Sequence, residues 1–292
     1  MTQNQNYFRP PAEANSVIIQ VTRGCPWNHC AFCGMYKCVS YAPRSLSEIS
    51  RLICIAAQEQ PQARRVFLAD ADVMHLPFPM LKKILQILNH MFPHLARVSI
   101  YANGNSINDK APAELLQLRD LKLHTLYMGL ESGDDTILER MNKRERVADM
   151  ITACNSAQAA GLRMSVMFIV GLGGRDGSAA HASATAAALN VMQPRILSAL
   201  RYVPVPYTSL LSAIVEERFS LLSEYEEVME LRDIIRECDL KQTVFRANHS
   251  SNAVPLEARL PADKDKLLFE LNLLLLSNSL DRENPGQFPL AM

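Results

Sequence analysis

Residues 163–203 read RMSVMFIVGLGGRDGSAAHASATAAALNVMQPRILSALRYV. Arg163 to Val170 is a short apolar run, and its length and composition predict a strand. Four residues with three glycines follow, Gly171 to Gly174. Ala179 to Met192 is rich in alanine, the strongest helix former, and predicts a helix that stops before Pro194. Arg195 to Val203 returns to strand composition. Strand, helix, strand in this order is a βαβ unit, which implies a parallel sheet.

The alternation extends in both directions. Toward the N-terminus, strands are predicted at Ser16–Val21, Arg65–Leu68, Arg97–Tyr101 and His124–Leu130. Helices are predicted at Leu46–Ala57, Pro79–Phe92, Pro112–Leu118, Asp134–Met141 and Val147–Ala160. Ser45 and Glu48 form a capping-box signature for the first. Leu81, Ile84, Leu85, Leu88, Met91 and Phe92 set the helical period of the second. Toward the C-terminus come a helix at Glu224–Glu237, a short strand at Thr243–Arg246 and a last helix at Asp263–Ser277. Residues 205–223 read as a loop or lid. The pattern predicts an α/β fold, a partial (β/α)6-type barrel over 16–205. An N-terminal arm (1–15) precedes it, and a short, mostly helical C-terminal extension (206–292) packs on it. In such folds chemistry gathers where strands end.

Thirty basic residues balance thirty acidic ones for a net charge of +0. No global field favours nucleic acid, so none is expected as a partner. The start MTQNQNYFRPPAEA has no basic stretch followed by an apolar one, so no signal peptide is expected. No run approaches the roughly 20 apolar residues of a membrane helix. The densest, Leu267 to Leu276, contains Glu270 and Asn272. A cytoplasmic protein without a membrane partner is the expectation. Cytosol disfavours disulfides, so clustered cysteines there point to metal or catalysis.

Three of the seven cysteines are clustered, in Cys25-Pro-Trp-Asn-His-Cys30-Ala-Phe-Cys33-Gly. Three thiolates within nine residues, on a loop after a strand, suit an iron–sulfur cluster. Spacing alone leaves zinc open, with His29 or Cys38 as a further ligand. A [4Fe–4S] cluster on three cysteines keeps one iron free for an exogenous ligand. Cys54, Cys154 and Cys238 fall in helical patterns, where free cysteine behaves as a small apolar residue.

The stretch VTRGCPWNHCAFCGMYK (residues 21–37) resembles the cluster loop of the radical S-adenosylmethionine (radical SAM) superfamily. The β/α order, LESGDD after the fourth strand and GLGG after the fifth resemble it too. The likeness covers roughly residues 16–205. It is closest to the branch holding oxygen-independent coproporphyrinogen oxidase and the Elongator-type catalytic subunit. It implies a radical SAM core, a [4Fe–4S] cluster on Cys25, Cys30 and Cys33, and S-adenosylmethionine on the open iron. The reduced cluster then cleaves the cofactor to methionine and a 5′-deoxyadenosyl radical, which takes a hydrogen atom from the substrate. Phe32 would pack near adenine and the Met35 backbone would meet its edge. Glu131 would engage the ribose or amino group, and Lys143 the methionine carboxylate. Gly171, Gly173 and Gly174 would let the backbone approach the adenosine. Two departures stand out. The family's usual loop has three residues between its first two cysteines, and this one has four. After the second strand Ala69-Asp70-Ala71-Asp72 replaces a Gly-Gly-Glu-like run, which puts Asp70 or Asp72 where the methionine amino group is met.

Asn103, Asn105, Arg201, Tyr207, Arg246, His249 and Asn252 are polar residues near predicted strand ends that a substrate could meet. Cys38 and Tyr207 are candidates for a catalytic role. Two classes of function follow. The first is a radical SAM enzyme, an oxidoreductase or lyase, acting on a small molecule with electrons from a reductase, flavodoxin or ferredoxin. The second is a non-catalytic zinc or iron–sulfur protein that binds a partner or carries electrons.

Overall fold

The structure is a computed structural model that describes residues 8–288. Of the expected N-terminal arm, residues 1–7 lie outside the described residues. The strands are β1 (Val17–Gln20), β2 (Thr22–Arg23), β3 (Ala42–Pro43), β4 (Arg65–Ala69) and β5 (Arg97–Tyr101), followed by β6 (Leu123–Glu131), β7 (Arg163–Val170), β8 (Ile196–Arg201), β9 (Thr243–Arg246) and β10 (Glu257–Leu260). The helices are α1 (Leu46–Glu59), α2 (Phe78–Met91), α3 (Gly104–Asn108), α4 (Pro112–Asp120) and α5 (Asp135–Arg140), followed by α6 (Val147–Ala159), α7 (Gly174–Met192), α8 (Ser209–Val215), α9 (Glu224–Glu237) and α10 (Lys264–Leu276). The chain divides into two compact units. The first takes residues up to 28, 36–128 and 152–164; the second takes 29–35, 129–151 and 165 onward.

In the first unit β1, β4, β5 and β6 are neighbours in that order. They pair in parallel, with Ile18 opposite Phe67, Val66 opposite Val98 and Ile100 opposite Leu126. Val66, Phe67 and Leu68 are fully buried, as a central parallel strand requires. Leu81, Ile84, Leu85 and Leu88 bury the predicted stripe of α2. At roughly 1.5–3 kcal/mol for each buried side chain, that stripe contributes about 6–12 kcal/mol toward ordering the helix. The capping box of α1 forms as read: Glu48 N donates to Ser45 Oγ and Ser45 N donates to Glu48. The antiparallel pair β2–β3 brings Thr22 opposite Pro43 and so brackets the cysteine segment.

In the second unit β7 and β8 pair in parallel from Ser165–Ile196 to Val170–Arg201. β8 pairs in parallel with β9, and β9 antiparallel with β10. Helix α9 packs against both α7 and α10. The α/β class and the parallel pairing agree with the sequence reading.

Several elements differ from it. α7 starts at Gly174 rather than Ala179, because Gly174 N already closes a turn onto Gly171 O at 3.0 Å. Residues 205–223 contain α8, capped by Thr208 and anchored by buried Leu210. α3 rests on Asp72, whose carboxylate accepts from Asn103 N (3.2 Å) and Ser106 Oγ (2.6 Å). β10 has only four residues between prolines, too short for a periodic signal. No helix among the described residues is long and apolar enough to cross a membrane.

Candidate functional site

In the second unit the segment His29–Met35 is held by its backbone. Ala31 N donates to Met141 O at 2.8 Å, and Leu210 N donates to Ala31 O at 3.0 Å. Asn142 Nδ2 donates to His29 O at 3.1 Å. Phe32 packs on a cluster formed by Ala31, Ile137, Met141, Leu172, Tyr202, Leu210 and Phe219. Leu172 belongs to the glycine-rich segment, so Phe32 and that segment share one apolar cluster. Cys30 and Cys33 are half-buried and form no disulfide. Met35 is exposed.

Glu131, at the end of β6, has a left-handed backbone with φ +62°. Its carboxylate fills the place where a side chain at Gly129 would stand; a Cβ there would lie 1.9 Å from Glu131 Oε1. Lys143 Nζ sits 3.4 Å from Glu131 Oε1 and 3.3 Å from Glu145 Oε2. Burial pushes the Glu131 carboxyl up, and the Lys143 charge offsets part of that. Burial pulls the Lys143 ammonium down. The charges of Glu131, Glu145 and Cys30 outweigh that and raise it overall.

Gly171 continues β7 with φ +82°. Its N–H donates to Glu230 Oε1 at 2.7 Å, and Ser178 Oγ donates to Glu230 Oε2 at 2.5 Å. Arg140 donates to Gly173 O. His181, fully buried, has Nδ1 2.8 Å from Ser132 Oγ and Nε2 3.1 Å from Ile169 O. Its Nε2 is also 3.6 Å from Glu230 Oε1. These contacts fit a neutral ring with the proton on Nε2. The glycine segment thus rests on a buried polar network that the sequence reading did not include. Glu230 lies on the apolar stripe of α9 with Leu231 and Ile234, and an acid on such a stripe is the signal that marks it.

The network makes stability pH-dependent with two opposite signs. Burial holds Glu230 up to about 7, against 4.5 when unfolded. Its contribution is present below 4.5 and lost as pH rises through about 7. Burial holds His181 down to about 4, against 6.5. Its contribution is present above 6.5 and lost as pH falls through about 4. Glu230→Gln removes only the first. The unfolding free energy of the wild type minus that of Glu230→Gln should fall by on the order of 1–3 kcal/mol between pH 4.5 and 7. Denaturant titrations at several pH values check this, and a pH-independent difference contradicts it.

In the first unit Cys25 Sγ accepts from Asn28 N at 3.4 Å, and Asn28 Nδ2 donates to Tyr36 O at 2.6 Å. Asp70 accepts from Gln20 Nε2 (2.9 Å) and Tyr36 Oη (2.8 Å). Asp70 and Asp72 are both buried, and the bonds described occupy their carboxylates within the unit. Cys38 is exposed. Tyr207 is 82% exposed, at the surface of the second unit. Arg201 and His249 meet at Ser251, whose Oγ accepts from Arg201 N and lies 2.9 Å from His249 Nδ1, while Asn252 Nδ2 donates to Ala199 O and Ala247 O at 2.9 Å each.

The donor set suits the cluster expected from the sequence. Cys25, Cys30 and Cys33 are partly accessible on one short loop and form no disulfide. Among the described residues no three His, Cys, Asp or Glu side chains converge on a site for a single metal ion. A four-iron cluster takes its thiolates at separate irons and does not ask for that convergence.

No curated protein matches the chain. Solved structures share its fold. The radical S-adenosylmethionine methyltransferase TsrM from Kitasatospora setae is 15% identical with a TM-score of 0.55, over 69% of this chain and 39% of that one. Methylornithine synthase (PylB) is 16% identical with a TM-score of 0.53, over 93% and 83%. Coproporphyrinogen III oxidase (HemN) from Escherichia coli is 17% identical with a TM-score of 0.53, over 76% and 50%. The chain therefore spans about two fifths of the methyltransferase and half of the oxidase. Residues 19–183 match the model of the Radical SAM superfamily, whose members use a [4Fe–4S] cluster and S-adenosylmethionine. That match takes in more than half of the chain, and the chain belongs to the radical SAM superfamily.

Proposed function

We propose that this chain is a radical SAM enzyme for a small-molecule substrate, with Cys25, Cys30 and Cys33 as the cluster ligands. The observation that carries the reading is the cysteine loop: three partly accessible thiols on one short segment, none of them in a disulfide, the second in the field of the charged Lys143. When bound, the cluster and S-adenosylmethionine supply the radical that takes hydrogen from the substrate. The protein's part is to position them and exclude water. Phe32, packed with Leu172, presents an apolar face beside Gly171 and Gly173, where an adenine would lie. Met35 flanks that place with its backbone. Glu131, raised by burial and held by Lys143, offers an acceptor to the cofactor's ribose or amino group. Lys143, already between two carboxylates, reaches the methionine carboxylate only by sharing its protons. Asp70 or Asp72 meets the methionine amino group only by sharing its carboxylate with present partners, Gln20 and Tyr36 for the one, Asn103 and Ser106 for the other. The reaction begun by hydrogen abstraction is of oxidoreductase or lyase type in this reading, with the electron from a reductase, flavodoxin or ferredoxin.

The test is Glu131→Ala on the reconstituted protein. Iron content should stay at the wild-type level, because no thiolate is lost. Affinity for S-adenosylmethionine should fall about tenfold, the order expected for a lost charge-assisted hydrogen bond. Equilibrium binding by calorimetry reads it, and unchanged affinity contradicts the role.

A further inference from the structure

Arg201 ends β8, opposite Val170, which leads directly into Gly171. Its side chain is 3% exposed. Nη1 donates to Glu227 Oε2 at 3.3 Å and to Pro285 O at 2.8 Å. Nη2 donates to Gln287 O at 2.7 Å. The Phe288 ring lies 4.6 Å from the guanidinium carbon. Nε is buried and has no partner. A cavity of about 20 Å³ adjoins the group, and its lining includes Arg201, Glu227, Asn252, Val170, Val254 and Leu271.

Two oxygens, one on each terminal nitrogen, are what a carboxylate offers a guanidinium fork. Here two main-chain carbonyls stand in those places. They are neutral, and a charge-assisted pair is roughly twice as strong as a neutral one. The segment that supplies them hangs on the first turn of α9. Glu224 N donates to Asn284 O and Tyr225 N to Asp281 O, each at 3.0 Å. We infer that Arg201 anchors a binding site for a small monocarboxylic acid, and that residues 285–288 occupy this site at rest as a displaceable strap.

The lining decides the class of ligand. The cavity itself has room for about one water, and once the strap has left, Val170, Val254 and Leu271 in its lining suit a short aliphatic chain. Arg201 is the one cation among the described lining residues, so it matches a single negative charge and not the two of a phosphate dianion. Burial raises Glu227 to about 8, so near neutral pH it holds a proton that a bound carboxylate can accept in a hydrogen bond. The site adjoins the glycine segment through Val170, and so lies where a substrate would meet the proposed cofactor place. The inference rests on the proposed function only for calling this ligand the substrate.

The experiment uses the reconstituted full-length chain with butyrate as probe and its neutral isostere butyramide as control. Binding is read by calorimetry, and strap release by hydrogen–deuterium exchange over residues 281–288. Butyrate should bind saturably and speed exchange there, and butyramide should do neither. Phe288→Ala removes the ring over the guanidinium and should tighten butyrate binding by roughly three- to tenfold, since the strap competes less well. Arg201→Gln should abolish binding. Equal behaviour of butyrate and butyramide, or unchanged butyrate affinity in Phe288→Ala, overturns the inference whether or not Arg201→Gln folds. Binding is measured without turnover, so this result is separate from that of S-adenosylmethionine cleavage.

Discussion

Cys30→Ala purifies and reconstitutes with less than roughly a tenth of the wild-type iron, and Cys25→Ala and Cys33→Ala do the same. The loop supplies three thiolates, and a cluster left with two is readily lost to solvent. Cys30 is the most telling of the three. The backbone bonds of its neighbours, Ala31 to Met141 and Leu210 and His29 to Asn142, do not involve its side chain. The variant therefore keeps its fold while losing a ligand. Circular dichroism and the melting temperature should match those of the wild-type apoprotein, and only iron and sulfide should fall. Wild-type iron in Cys30→Ala contradicts the assignment. Cys38→Ala serves as the control: it should keep full iron, since Cys38 is exposed. Iron loss there would instead favour a site that includes Cys38, the zinc-like alternative.

Gly133→Val melts roughly 5–10 °C below the wild type. A Cβ on Gly133 would stand 2.2 Å from Ala184 O and 2.4 Å from its carbonyl carbon, both backbone atoms of α7. No rotamer relieves such a contact; the helix or the loop must move. The movement would break Gly133 N to Thr185 Oγ1 (2.9 Å) and disturb His181, which shares Ser132 with this loop. Overpacking of this kind costs about 1–3 kcal/mol, and the lost hydrogen bond adds about 1 kcal/mol. That sum sets the expected fall for a chain of this size. Calorimetry on the apoprotein reads it, and a melting temperature within a degree of wild type contradicts the close approach.

Local patterns carried the fold. The stripe of α2 and the apolar runs of β4 and β7 were legible because the groups that decide them lie within one or two turns of each other. Short elements were not. α3 depends on Asp72, more than thirty residues earlier in the chain, and α8 on Leu210 reaching a cluster assembled from distant segments. The site divides the same way. The cysteine loop and the GLGG segment are contiguous and were read directly. Glu230 is bonded to Gly171 across 59 residues, and Arg201 to Gln287 across 86. Such pairs leave no periodic trace, although an acid on the apolar stripe of α9 hints at the first. Asp70 and Asp72 look alike in sequence. Only their partners separate them: Tyr36 and Gln20 for one, and α3 for the other.

The most direct test of the central claim is whether the chain cleaves S-adenosylmethionine. Purify it without oxygen, reconstitute iron and sulfide, reduce it, add S-adenosylmethionine and quantify 5′-deoxyadenosine by mass spectrometry. The account predicts 5′-deoxyadenosine from the wild type and none from Cys30→Ala. A wild-type protein with a full, reducible [4Fe–4S] cluster and bound S-adenosylmethionine that yields no more 5′-deoxyadenosine than Cys30→Ala would contradict it.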